Sequence, residues 1–276
     1  SGKSLLTISV QTKLMPDKLT ISQAVAPIYK EPTFTSQMVT QGLLWEIITV
    51  LDTNQRWFQV QTEDGYTGWI HEFYTSTSEK PNYNSIQITM RYAPVRENRG
   101  RDGTEKQLLS FGTRVPAESL TSGYSYISLH NGEGGFIPPQ PPVAKFSRDS
   151  LIKIAESLLG VPYLWGGKSS FGYDCSGFVQ SIFNHFEVIL ARDTSDQIQD
   201  ERLKKIKSEE AGKGDLIYYF ENGNVNHVSI FLDEKDFIHC YGCVRVQSHN
   251  KSDPHFHSLL AEMEKQYFSI KELLKN

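Results

Sequence analysis

The sequence predicts an α+β protein in which two small all-β units precede a larger unit whose helices come before its strands. Three observations carry this reading. Short apolar stretches separated by turn clusters fill the N-terminal half and repeat once at a constant offset. Helical periodicity begins only near residue 147. From residue 216 onward strand-like segments follow one another with little helix between them. The expected units span residues 1–78, 79–140 and 141–276.

In the first unit the stretches Ala24–Tyr29, Glu46–Leu51, Trp57–Gln61 and Thr67–Ile70 read as strands, divided by turns at Asp52–Asn54 and Glu63–Gly65. The second unit repeats them 67 residues later: Ala26-Pro-Ile28 becomes Ala93-Pro-Val95, Trp57–Val60 becomes Tyr124–Ile127, Asp64-Gly65 becomes Asn131-Gly132, and Gly68-Trp-Ile70 becomes Gly135-Phe-Ile137. Four blocks at one offset indicate a duplicated small barrel. Trp57, Trp69 and Phe136 are expected in the barrel cores. Tyr66 stands at a turn tip where the second copy has Glu133, and a feature of one copy alone is where a recruited role would show.

Four prolines in Ile137–Val143 predict a stiff, extended spacer. Beyond it Leu151, Ile154, Ala155, Leu158 and Leu159 share a helical face, with Ser147, Asp149 or Ser150 as cap and Gly160 as stop. A glycine-rich loop, Tyr163–Gly177, then delivers Cys175 to a second helix, whose buried face is Phe178, Val179, Ile182, Phe183 and Phe186. A loop at Arg192–Gln197 and a lysine-rich polar segment follow. Strands are expected at Leu216–Phe220, His227–Leu232, Phe237–Tyr241 and Val244–Gln247, then a helix entered at Asp253-Pro254 and a closing segment near Phe268.

Composition narrows the function classes. With 28 basic and 32 acidic side chains the net charge is −4, which argues against nucleic acid as a partner. Arg91, Arg96, Arg99, Arg101 and Lys106 read as a solvated basic turn. No apolar run is long enough to span a bilayer. Three cysteines form no disulfide framework. The chain opens Ser-Gly, consistent with a removed targeting segment, and an extracytoplasmic location is expected over a cytoplasmic one.

Cys175 is the candidate nucleophile. At a helix start, unpaired N–H groups and the dipole favour a thiolate and can hold an oxyanion, so a lowered thiol pKa is expected. A thiolate needs a base and the base an orienting partner. His227 and His239 lie on neighbouring strands, where antiparallel pairing would set the imidazoles side by side. Packing of that face against the Cys175 helix would complete a Cys-His-His triad. His185 is expected to be structural, and His71, His130, His249, His255 and His257 to be solvent residues. A zinc site at His239-Cys240-x-x-Cys243 is disfavoured because adjacent strand residues face opposite ways. No metal and no cofactor is expected.

Six motifs in order, Tyr163-Leu-Trp-Gly-Gly, Phe171-Gly-Tyr-Asp-Cys-Ser-Gly-Phe, Arg192-Asp-Thr, Gly214-Asp-Leu, His227-Val-Ser-Ile and Ile238-His239, resemble the NlpC/P60 cysteine peptidases over about residues 147–275. The two N-terminal copies resemble bacterial SH3-like domains. Together they look like the γ-D-glutamyl-L-diamino acid endopeptidases of murein peptide turnover, which implies a papain-like catalytic domain. The resemblance implies Cys175 as nucleophile, His227 as general base and acid, and His239 as its orienting residue. It also implies Tyr163 beside the oxyanion site, Asp174, Ser176, Asp193 and Thr194 lining the substrate groove, and Tyr66 closing that groove over the first substrate residue. Where relatives can carry an acid before Thr-Gln-x-Leu-Leu, this chain has Val39 before Thr40–Leu44.

The expected activity is hydrolysis of the γ-D-Glu to diamino acid bond in murein-derived peptides with a free N-terminal L-Ala, by a monomer. The alternatives are a wall hydrolase or acyltransferase with the same triad acting on larger substrates, or a murein-binding module.

Overall fold

The computed structural model describes residues 16–81, 84–100, 102–120 and 123–275. The first sheet contains β1 (Lys18–Ile21), β2 (Val25–Tyr29), β3 (Met38–Leu43), β4 (Ile47–Asn54), β5 (Trp57–Gln61), β6 (Thr67–His71) and β7 (Thr75–Ser76), in the order β3-β2-β6-β5-β4-β1-β7. The second contains β8 (Ser85–Gln87), β9 (Tyr92–Arg96), β10 (Glu105–Ser110), β11 (Arg114–Ser119), β12 (Ser125–Ser128) and β13 (Gly134–Ile137), in the order β10-β9-β13-β12-β11-β8. Apart from β7 this is strand for strand the same sheet, and the register repeats too: Tyr29 pairs with Trp69, and Arg96 with Phe136, each 67 residues on. The duplication extends beyond the four sequence blocks. Ile21 and Ile88, and Ile48 and Val115, hold the same buried positions 67 residues apart, outside those four blocks.

The expected core aromatics fall differently. Alternation along β6 and β13 turns Ile70 and Ile137 inward, so Trp69 and Phe136 are half-buried on the other face. Phe136 instead carries Arg99 over its ring at 5.3 Å. Trp57 is buried, within an aromatic cluster of Tyr29, Phe34 and His71.

The third unit begins with α1 (Arg148–Ser157), capped by a reciprocal pair of bonds between Ser147 and Ser150. A two-stranded ribbon, β14 (Lys168–Ser169) and β15 (Gly172–Tyr173), leads into α2 (Cys175–His185). The loop expected at Arg192–Gln197 closes into a single turn, α3 (Thr194–Gln197). The strands are β16 (Lys204–Ile206), β17 (Leu216–Glu221), β18 (Asn224–Phe231), β19 (Asp236–Tyr241), β20 (Cys243–Ser248) and, after the short α4 (Ser258–Glu262), β21 (Glu264–Ser269). They form one antiparallel sheet in the order β16-β21-β17-β18-β19-β20. On one face Val228, Ile230, Ile238 and Cys240 pack against Phe178, Val179, Ile182 and Phe183 of α2. On the other, Tyr219, Phe231, Phe237 and Leu260 form a second core.

The units are joined by specific seams. Trp45 donates to Ser128 O at 2.8 Å and stacks on His130, which bonds Ile21 O at 3.0 Å. Ser110 and Ser170 bond one another at 3.1 Å, and Phe111 stacks on His185. Arg91, read from sequence as part of a solvated turn, clamps Ser157 O and Leu159 O at the end of α1, while Lys106 bonds Gly134 O. Arg101 lies outside the described residues. Gln140 and Pro141 of the proline-rich stretch accept bonds from Thr89 and Met90, so the spacer lies along the second unit.

Candidate active site

Asp174 sets up the cysteine. It is the N-cap of α2, its Oδ1 accepting from Gly177 N at 2.7 Å, and its Oδ2 accepts from Gly166 N at 2.9 Å. Arg192 grips the same carboxylate with both terminal nitrogens, at 3.0 and 2.5 Å, and also donates to Ser176 Oγ at 2.9 Å. Asp174 and Ser176, expected to line the groove, are therefore buried in a knot beneath the cysteine, with their polar atoms occupied by protein partners. The knot extends into the first unit: Arg192 Nε donates to Thr40 at 3.1 Å, and Lys168 N donates to Gln41 at 2.9 Å. Gly166, at φ +74°, lies so close to β3 that an added Cβ would stand 2.6 Å from Met38 O.

Cys175 is 9% exposed, and its sulfur lies against the N–H groups of Ser176 and of Val228, the residue after His227. Here two expectations are corrected. First, burial, with the Asp174 charge beside it, pushes the thiol up to about 12, so desolvation outweighs the helix terminus. Second, α2 packs on the face opposite the histidines: His227 shares its face with Tyr219 and Phe231, and His239 with Phe237. The thiol meets β18 at the backbone beside His227, not across a shared face.

His227 and His239 do come together. The register Ile230↔Ile238, continued, sets His227 opposite Tyr241, so the imidazoles are diagonal neighbours. His227 Nε2 and His239 Nδ1 are 2.8 Å apart, with rings perpendicular, and His239 Nε2 lies 2.8 Å from Gln247 Oε1. Burial pushes His227 down to about 3 and His239 well below the ordinary value. A bulge between Tyr219 and Phe220 in the β17–β18 ladder adjoins His227, a common device for aiming a site residue.

Tyr66 reaches the third unit: its hydroxyl donates to Asp193 Oδ2 at 3.0 Å. Desolvation and the Asp193 charge raise Tyr66 to about 12, and burial raises Asp193. The Tyr66 turn is itself tied down. Asp64 accepts from Tyr66 N and, at 2.6 Å, from Gln180 of α2. Thr194 opens α3 beside Asp193, half-buried. Tyr163 is half-buried near Cys175, its pKa raised by burial and by the charge a thiolate would carry, so its hydroxyl stays a donor. Val39 packs against the first unit's core.

Sequence reasoning missed Gln247 and Tyr241, both within reach of the histidines. Period-2 alternation along β20 and β19 was the available signal. It also took several histidines as solvent residues that are not. His71 and His130 are buried, His249 bonds Tyr219 at 3.0 Å, and His257 caps α4 with its ring against His239 and Tyr241. Only His255 is exposed as expected. Cys240 turns away from His239 and donates to Tyr173 O at 3.1 Å. A cavity of about 600 Å³ between α2 and both β units is lined by Glu46, Asp64, Arg114 and Gln180, and none of the three triad candidates borders it.

Residues 160–263, which include Cys175, His227 and His239, match the NlpC/P60 family, and residues 28–72, which include Tyr66, match the bacterial dipeptidyl-peptidase Sh3 domain. A γ-D-glutamyl-L-lysine dipeptidyl-peptidase of Bacillus subtilis is 30% identical over 217 residues, covering 72% of this chain and 71% of that protein. One of Bacillus cereus is 28% identical over 230 residues, covering 75% and 68%. The crystal structure of an NlpC/P60 family protein from Bacillus cereus shares the fold, with a TM-score of 0.77 over 90% of this chain and 98% of that one at 22% identity. A cysteine at a helix start, a histidine pair on the adjoining strands, two SH3-like units and a relative matched over most of both chains lead to one conclusion: the chain belongs to the NlpC/P60 family of cysteine peptidases.

Proposed function

We propose that the chain hydrolyses the γ-D-glutamyl to diamino acid amide bond of murein-derived peptides that begin with a free L-Ala, releasing L-Ala-γ-D-Glu. The observation that carries this reading is the Tyr66–Asp193 bond, which brings a side chain of the first β unit to the loop that follows the cysteine helix. A wall there excludes sugar or peptide upstream of L-Ala, and the Asp193 carboxylate suits the L-Ala ammonium in the absence of an acid at Val39. The names of the Bacillus relatives point to the same kind of bond.

In this reading Cys175 Sγ attacks the γ-carbonyl carbon while its proton passes to His227 Nδ1, the ring nitrogen not bonded to His239. A thiol held high and an imidazole held low are both neutral at rest, so proton transfer accompanies attack. N–H groups at the start of α2 and the Tyr163 hydroxyl stabilise the oxyanion. The C–N bond breaks as His227 returns the proton to the leaving amine, and water then hydrolyses the thioester. Thr194 offers its hydroxyl to the D-Glu α-carboxylate. Asp174 and Ser176 hold the loop beneath the cysteine through Arg192.

The test is product analysis by mass spectrometry on L-Ala-γ-D-Glu-diamino acid tripeptide, its N-acetylated form and intact murein. Wild-type chain is expected to release the dipeptide from the free tripeptide alone, and Cys175→Ala to release none while keeping the wild-type circular dichroism. Turnover by Cys175→Ala would remove Cys175 from the mechanism. Equal rates on the acetylated peptide would sink the closed groove.

A further inference from the structure

The histidine pair does not end at His239. Gln247 of β20 places Oε1 2.8 Å from His239 Nε2, on the same sheet face and one strand further from His227. An amide oxygen only accepts, so His239 must carry its proton on Nε2. A neutral imidazole has one N–H, which leaves His239 Nδ1 bare and able only to accept. The atom 2.8 Å from it, His227 Nε2, must then donate, and the proton of a neutral His227 sits there. His227 Nδ1 is left unprotonated. Were the amide turned to present its NH₂, each step would invert and Nδ1 of His227 would carry a proton.

We propose that Gln247 is a positioning residue whose amide oxygen sets the tautomer of both histidines and so leaves His227 Nδ1 free to accept the thiol proton. The last clause rests on the function proposed above, whereas the tautomer assignment stands without it. A chain of one-way donors has the same logic as a carboxylate holding a catalytic imidazole in its working tautomer, where loss of the correct tautomer costs about 10⁴ in rate. The other groups facing His239 do not fix its proton. His227 and His257 are buried or half-buried imidazoles, Arg245 and His257 act on His239 as positive charges, and Tyr241 stacks on the ring at 6.0 Å without a bond.

The experiment uses the full chain. Nitrogen-15 NMR of the imidazoles at pH 7.5 is expected to show both His227 and His239 as Nε2–H tautomers, assigned through His227→Gln and His239→Gln. Gln247→Met removes the acceptor at similar volume. It is expected to mix the tautomers and lower kcat on the tripeptide at least 10-fold with KM unchanged. Gln247→Glu keeps an acceptor in place, so both tautomers remain, kcat stays within about threefold, and the acid limb of the pH profile moves upward because a carboxylate favours imidazolium. An Nδ1–H tautomer at either histidine of the wild-type chain overturns the proposal, as does a Gln247→Met chain with wild-type tautomers and kcat. Because the spectra are read without substrate, failure of the proposed peptidase activity would leave this result distinguishable.

Discussion

Replacing Arg192 by Met should be the most damaging single change outside the triad candidates. The side chain is 1% exposed and makes bonds of 3.0 and 2.5 Å to Asp174, 2.9 Å to Ser176 and 3.1 Å to Thr40. Removing one partner of a buried ion pair strands the other charge, at a cost of about 3–5 kcal/mol. Asp174 would keep its two backbone donors, Gly166 and Gly177, which places the expected loss toward the lower figure. Each kcal/mol lowers Tm by about 2–4 °C in a domain of this size, so a drop of roughly 6–12 °C is expected in calorimetry. A double-mutant cycle supplies the decisive assay. Asp174→Asn in the Arg192→Met background should cost far less than in wild type, giving a coupling of about 2 kcal/mol or more. Arg192→Lys should recover little, because an ammonium cannot reach both carboxylate oxygens, Ser176 and Thr40 at once. A loss below about 1 kcal/mol, or an additive cycle, would refute the claim that this pair supports the cysteine helix.

Two further outcomes are expected. His227 and His185 are held at about 3 and about 4 by burial, below the ordinary 6.5. As pH falls below 6.5 the unfolded chain therefore binds protons that the folded chain does not. Stability is fully present above 6.5 and drops by up to about 1.4 kcal/mol per pH unit for each histidine on the way down; thermal scans from pH 7 to 5 should show Tm falling, and a flat profile would contradict the burial argument. Gly166→Ala should lower both Tm and activity, since a side chain at φ +74° costs about 1–2 kcal/mol before its contact with Met38 O is counted; a variant with wild-type Tm and kcat would show that β3 yields freely.

What could be read from the sequence was local. Cys175 at a helix start follows from the apolar spacing after it, and the duplication from blocks at one offset. Facing was harder, because neighbouring apolar residues such as Trp69 and Ile70 satisfy either parity until the rest of the sheet chooses. The same ambiguity hid which face α2 covers. Histidine burial was misjudged at His130 and His249 because the rings that enclose them, Trp45 for one and Tyr219 and Phe237 for the other, are distant in sequence, and at His71 because Phe34 and Trp57 close over it beside the neighbouring Phe73. The Arg192 knot joins residues 152 positions apart, a separation no periodicity records. Thiol and imidazole protonation depend on desolvation, which follows from packing and not from the helix terminus the sequence reveals.

The seam between β3 and the cysteine loop also orders events during synthesis. Chains emerge N-terminus first, and early domains fold as units while later ones are still being made. Thr40 and Gln41 can thus stand in a finished sheet when Gly166, Lys168 and Arg192 leave the ribosome, and the loop closes onto a surface already waiting. The first β unit is thus expected to serve as an assembly jig for the cysteine loop. A chain in which that unit misfolds would make an intact cysteine helix without its floor, which ties proteolytic competence to completion of the N-terminal half.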